Sequence, residues 1–497
     1  MTNQQSTYRQ IFKATSIFGG VQIFNILINI IKSKILAVLL GPTGIGLFGM
    51  LNSTLDVLKT ITGLGINSSA VKEISEAAGS GDIVKVSRIL KTLQRWLLLT
   101  GLLGFIVTLL LASHLSQWTF GNKEYTWSFI WLSVVLFFAA LSSGQLAALQ
   151  GMRKIGYMAK SGMIGSFVGL LLSIPLFYLF SYNGIVPSII ISAVCTLIFS
   201  SVYAKKIKTV KVNEPFLKSL GHGLGLIKLG IAMMFSGSLA IIAGYILKAY
   251  ITQKGGIIDA GIFQAGFSIS EGYFGLIFTA MATDYYPRLA AVNKDNLRIK
   301  DEVNKQAEIG ILIASPIIII ALFLMPVAIR ILYSKSFLNA VTYVNWAMLG
   351  NIFKIASWAM GYVLLAKGKS QIFICTAIFF NSTYLVLNIT GYNWLGIEGL
   401  GVAFFIYYII HFIGIYIICS LFFNFGFQKS FKKLFLSILA LSIVAFYIQS
   451  VENIWIKYIF AAFVFMVSLY LSYYHLNKKI GIKQIIIKKI NKNGKRF

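Results

Sequence analysis

Fourteen apolar runs, each long enough to cross a hydrocarbon layer of roughly 30 Å, leave this chain little choice of fold. They fall at about 14 to 40, 44 to 65, 96 to 113, 127 to 150, 161 to 181, 185 to 204, 229 to 252, 261 to 283, 309 to 332, 341 to 365, 371 to 390, 397 to 420, 432 to 450 and 455 to 475. Lipid offers the backbone no hydrogen-bond partners, so runs of this kind span as helices. The expected class is an all-α polytopic membrane protein. With 57% apolar and only 12% charged residues, no soluble core would hide the apolar surface.

The formal charge of +29 would point to nucleic acid in a soluble chain, but its distribution removes that reading. Of 44 Lys and Arg, 34 lie in the N-terminus, alternate loops and the C-terminal tail. Only Lys123, Lys254, Arg330, Lys335 and Lys457 lie in the intervening loops. This positive-inside bias puts both termini in the cytoplasm and needs no nucleic-acid partner. The start MTNQQSTYRQ lacks the pattern of a cleaved signal peptide, and none is expected.

A single offset of 215 residues aligns the two halves without a gap. It pairs Lys13 with Lys228, Gly41 with Gly256, Gly46 with Gly261, Phe48 with Phe263, Ser53 with Ser268, Asp56 with Glu271 and Gly184 with Gly399. One offset shared by so many landmarks reads as an internal duplication. Each half carries six spans, so the copies keep one orientation and form a parallel repeat. The expected domains are an N-terminal six-helix bundle at 1–204, a cytoplasmic linker at 205–228, a C-terminal six-helix bundle at 229–420, an extra transmembrane hairpin at 421–475 and a basic cytoplasmic tail at 476–497. The tail, and the stretch IVKVSRILKTLQRW after the cap residue Asp82, are expected to rest on anionic lipid as interfacial elements.

Charges inside spans are costly and mark a transport path when they face protein or water. Gln22, Asn25, Asn29 and Lys32 are spaced 3, 4 and 3 apart, which puts them on one helix face. Asn52, Asp56 and Lys59 form a second polar face with an internal i, i+3 ion pair, whose plain alternative is a structural salt bridge. In the second copy Gln264, Ser268 and Glu271 make the stripe, but Phe274 stands where Lys59 would be, so Glu271 needs a lysine from elsewhere or a proton. Lys354 lies mid-span with Asn351 and Trp358 on its face. Lys34 points about 200° away from Lys32, and both it and Lys248 either line a lumen or snorkel to the surface. His411 reads as a packing residue, Trp127, Trp131, Trp394 and Trp455 as interfacial aromatics, and Cys195, Cys375 and Cys419 as small buried hydrophobes without disulfide or metal spacing.

The run KILAVLLGPTGIGLFG, the charged second span and the GLGINSSAVKEIS exit resemble the opening of Wzx-type O-antigen translocases, polysaccharide flippases of the multidrug/oligosaccharidyl-lipid/polysaccharide exporter superfamily. The resemblance is most specific over residues 11 to 90 and extends through both halves to about residue 420. It implies two bundles working by alternating access. It also implies that an undecaprenyl-diphosphate-linked oligosaccharide, an O-antigen or related surface polysaccharide repeat unit of lipopolysaccharide biosynthesis, is moved across the bacterial inner membrane. The terminal hairpin departs from twelve-span relatives and is similar to the extra helices of the lipid II flippase. On this reading Lys32, Lys59 and Lys354 contact the diphosphate, with Gln22, Asn25, Asn29, Asn52, Asn351 and Trp358 also binding substrate. Asp56 and Glu271 serve ion coupling or gating. No cofactor is expected beyond a proton or sodium gradient, and the partners are the lipid-linked oligosaccharide, membrane lipids and other polysaccharide assembly proteins. Alternatives of the same fold are a lipid II-type flippase and a cation-coupled multidrug exporter, whose cavity would be more acidic. An enzyme is not expected: short outer loops and four scattered histidines offer no catalytic cluster.

Overall fold

The computed structural model describes the backbone of residues 3–480 and the side chains of residues 23–479 other than 232, 236, 280 and 283. It forms two compact units, Met1–Gln264 with Leu332–Ser336, and Ala265–Ile331 with Phe337–Phe497. The first holds α1 (Asn3–Gly63), α2 (Ile66–Gly79), α3 (Ile83–Phe120), α4 (Thr126–Gly151), α5 (Ile155–Phe180), α6 (Ile185–Ala204) and most of α7 (Phe216–Phe267). The second holds α8 (Leu276–Ala291), α9 (Asn296–Leu332), α10 (Ala340–Ala366), α11 (Ser370–Phe423), α12 (Lys429–Ile448) and α13 (Ile454–Ile480). The described residues contain no strand. Nine of their helices are long and apolar enough to cross a membrane, ten if a bent pair counts as one span. Three of the long helices are broken at glycines, at Gly41, Gly256 and Gly396, which is consistent with the fourteen spans expected.

These breaks show the duplication in backbone angles. Gly41 has φ 63° and ψ −161°, and Gly256, 215 residues on, has φ 84° and ψ 174°. Side chains rarely tolerate that region, so glycine is what lets each long helix turn there. The same offset pairs Ser181 (φ 50°, ψ −128°) with Gly396 (φ 57°, ψ −133°). Three residues later, a Cβ on Gly184 would meet the Leu176 carbonyl oxygen at 2.1 Å, and one on Gly399 would meet that of Gly391 at 1.8 Å. The carbonyls are again 215 apart. Ser181 therefore holds a glycine conformation without being glycine. Ser181→Gly is expected to raise stability by about 1 kcal/mol, read as a higher midpoint in thermal unfolding of detergent-solubilised protein.

Two of the cytoplasmic loops predicted from the sequence have protein partners. Asp82 does cap a helix, accepting from the Lys85 N–H at 2.8 Å. That helix leads into the third span without a break, α3 running from Ile83 to Phe120. Two of its basic residues bind protein. Lys91 Nζ donates to the Val212 carbonyl at 2.6 Å, and Arg95 donates to the carbonyls of Glu214 and Pro215 at 2.8 and 2.9 Å. The stretch after Lys205 is thus strapped to α3, and from Phe216 it is already helix α7. The basic tail beyond residue 480 lies outside the described residues.

In the second unit the terminal hairpin is tied down by polar contacts: Ser315 to Ser468 at 2.7 Å, Asn345 to Gln449 at 2.5 Å, and an ion pair between Lys479 and the buried Glu308. Phe412 stacks on Phe435 at 5.5 Å between ring centres. Cys195 and Cys419 are buried as expected, whereas Cys375 is exposed; the four tryptophans read as interfacial are all exposed.

Candidate functional site

In the first unit, the two arms of α1 carry the polar stripes. Lys32 Nζ sits 4.5 Å from the centre of the Phe48 ring, a cation–π contact across the Gly41 break. No acid among the described residues pairs with it. Asn25 Oδ1 is buried without a hydrogen-bond partner among those residues, Asn29 is exposed, and the Gln22 side chain lies outside them. On the second arm Asn52 donates back to its own helix, to the Phe48 carbonyl at 2.8 Å.

Asp56 and Lys59 meet at 3.4 Å, with side chains 60% and 38% exposed. A pair so loose and open contributes at most about 1 kcal/mol, which weighs against a purely structural clamp. Lys248 joins this cluster. Its ammonium donates to Ser53 Oγ at 3.0 Å, within electrostatic reach of Asp56, rather than snorkelling away. Sequence periodicity gave no sign of this, because it cannot say which face of α7 packs on α1. Lys34 is likewise held by protein, donating to the Tyr333 carbonyl at 2.6 Å.

The second unit answers the question of Glu271. Its carboxylate grips Lys354 Nζ through both oxygens, at 2.6 and 2.5 Å, with the lysine side chain 12% exposed and the acid's 24%. The rings of Phe278, Tyr408 and Phe404 stand 5.1, 5.2 and 5.9 Å from the ammonium. Glu271 itself lies in a π-helical turn, Ser268–Tyr273, a distortion that often marks functional positions. Two residues assigned separate tasks from the sequence are therefore one unit. Trp358 packs against Phe278, Tyr285 and Tyr362. Asn351 is fully buried, and neither amide atom has a partner among the described residues. His411 packs on Phe380 at 4.4 Å between ring centres.

Across the offset of 215 the acid is retained while its lysine moves. The first copy has Lys59 on the acid's own helix and Ala139 on α4; the second has Phe274 and Lys354 at those places. Each copy keeps one acid with one lysine, supplied by different helices.

A family model described as polysaccharide biosynthesis protein matches residues 35–342. The chain belongs to that family. The lipid III flippase of Escherichia coli (strain K12) is 23% identical over 395 residues, covering 77% of this chain and 92% of that protein. Stage V sporulation protein B of Bacillus subtilis (strain 168) is 25% identical over 221 residues, 42% of each chain. Among solved structures, the lipid II flippase MurJ in an inward closed conformation matches with a TM-score of 0.69 at 15% identity, over 94% of this chain and 99% of that one. An inward-facing multidrug resistance MATE transporter of the MOP superfamily matches at 0.61 and 14% identity, over 80% and 95%. These identities speak for fold alone, and the fold is the one shared by these two solved structures. Coverage of 94% is too great for the terminal hairpin to lie outside the likeness to MurJ.

Proposed function

We propose that this family member is a flippase that moves a lipid-linked oligosaccharide across the bacterial inner membrane by alternating access. The proposed cargo is an O-antigen or related repeat unit on undecaprenyl diphosphate. The observation that carries the reading is Lys32: a cation on a polar stripe of a spanning helix, facing an aromatic ring and without an acid beside it among the described residues. In low dielectric such a charge calls for an anion, and a diphosphate supplies one. The lipid III flippase, similar over nearly its whole length, supports a saccharide cargo carried on lipid.

Lys59 is proposed as a second head-group contact. Lys354 becomes the third only by releasing Glu271, so head-group binding and freeing of that carboxylate are one event. The freed acid then takes a proton or sodium ion, which ties substrate to ion at a single locus; Asp56 is proposed to do the same beside Lys59 and Lys248. Gln22, Asn25, Asn29, Asn52, Asn351 and Trp358 are proposed to serve the sugars. Both termini are assigned to the cytoplasm from the basic loops, with the bundles at 1–204 and 229–420, the linker, hairpin and tail as the working parts. Other polysaccharide assembly proteins are the proposed partners.

Lys32→Ala is expected to abolish surface polysaccharide, with at least about a hundredfold loss, the equivalent of roughly 3 kcal/mol of lost charge-assisted binding. Protein in the membrane should stay at its usual level. Full polysaccharide in that variant overturns the head-group reading.

A further inference from the structure

The Asp56–Lys59 pair has a second side. Lys59 also lines a cavity of about 200 Å³ inside the first unit, with Gly63, Asn67, Thr100, Ala139, Ala140 and Ser143. Thr100 is 3% exposed, yet its hydroxyl has no hydrogen-bond partner among the described residues, and neither has Asn67 Oδ1. Asn67 Nδ2 donates to Ser143 Oγ at 2.9 Å, and these two residues also line a further cavity of about 350 Å³. That one is completed by the exposed Ser68 and Gln150, beside the basic loop at Arg153 and Lys154. Apolar cavities stay dry, whereas a polar one holds water where each molecule finds two to four partners in about 30 Å³. Here the unpartnered Thr100 hydroxyl and Asn67 carbonyl oxygen offer water such partners between the apolar side chains of Leu97 and Leu136.

The second copy shows that the opening is not a necessity of the fold. The positions 215 residues beyond Gly63, Ala139 and Ser143 are Phe278, Lys354 and Trp358. Phe278 packs on both of the others, on Trp358 at 5.4 Å between ring centres and under the Lys354 ammonium at 5.1 Å. Three small residues in one copy thus stand where three large ones fill the same place in the other. A Cβ added at Gly63 would meet nothing within 4 Å.

We propose that the two cavities form one water-filled path through the first unit, from the surface at Ser68 and Gln150, past the Asn67–Ser143 hydrogen bond, to the Lys59 ammonium. It gives water and protons access to the Asp56–Lys59 pair from the face that carries the basic loops. Its purpose rests on Asp56 as a coupling acid, but its existence does not, and the test reads existence alone.

In a background with Cys195, Cys375 and Cys419 changed to alanine, Thr100→Cys is treated with methanethiosulfonate ethylammonium in vesicles that expose the basic face. Labelling is expected. Adding Ser143→Trp, which installs the second copy's residue, should slow it about tenfold or more, a barrier of roughly 1.4 kcal/mol, while Ser143→Ala leaves the rate within about twofold. Gly63→Phe provides a second plug and Ala140→Cys a second reporter should either first choice fail to assemble. Reporters unreactive from the basic face, or a rate untouched by both plugs, overturn the path. Transport driven by gradients in Asp56→Asn with labelling intact would remove the coupling role and leave the path standing.

Discussion

Lys354→Ala is expected to be the most damaging single change in the second unit, for two separable reasons. It strands Glu271, whose carboxylate now meets the ammonium through both oxygens at 2.5 and 2.6 Å and keeps only 24% of its side chain exposed. Removing one partner of a buried ion pair costs about 3 to 5 kcal/mol, and the remaining exposure sets this case near the lower figure. It also removes the cation proposed to receive the diphosphate. The double variant Lys354→Ala/Glu271→Gln divides the two effects. Removing the stranded charge should restore most of the thermal midpoint in detergent, whereas surface polysaccharide should stay absent. A double variant that regains both stability and polysaccharide would make the pair purely structural. Lys354→Arg offers a further check, because a guanidinium keeps the charge but not the compact shape that three aromatic rings enclose.

How far the sequence reaches is clearest at this pair. Period and hydropathy placed Glu271 and Lys354 on polar faces of two spans, because a helix repeats every 3.6 residues whatever surrounds it. They could not show that the two faces meet, since that depends on how α10 packs against the π-helical turn. Lys248 is the same lesson at α7, where an end-of-span position looked free to snorkel and is held on Ser53. The offset of 215 was readable because it needs only letters, and the angles at Gly41 and Gly256 carry it into the backbone. What letters did not reveal was its unequal use: the acid repeats, but its lysine changes helix, and a space open at Gly63 and Ser143 is filled at Phe278 and Trp358. A basic amphipathic stretch reads alike in sequence whether or not its side chains donate to carbonyls, and Lys91 and Arg95 do so.

Gly46→Ala and Gly261→Ala are each expected to cost about 3 kcal/mol or more, and together distinctly less than their sum. These two glycines are partners under the offset, and they touch. A Cβ on Gly46 would lie 2.2 Å from the Ile257 carbonyl oxygen and 3.0 Å from the Gly261 nitrogen. One on Gly261 would lie 1.9 Å from the Pro42 carbonyl oxygen and 3.0 Å from the Gly46 nitrogen. The nearest obstructing atoms are backbone carbonyl oxygens, so no rotamer change relieves them and the second arm of α1 must move off α7. Helix propensity works the other way, favouring alanine by roughly 1 kcal/mol at each site, but it is outweighed by the clash. Once one methyl has forced the helices apart, the second enters space already opened, which is why the costs should not add. Gly244→Ala in the same helix α7, where a Cβ meets nothing within 4 Å, should be neutral or stabilising. Thermal unfolding of the four proteins of the double-mutant cycle, with Gly244→Ala alongside, decides the matter. Strict additivity, or single variants as stable as the parent, would mean that the contact between the repeated glycines does not hold these helices together.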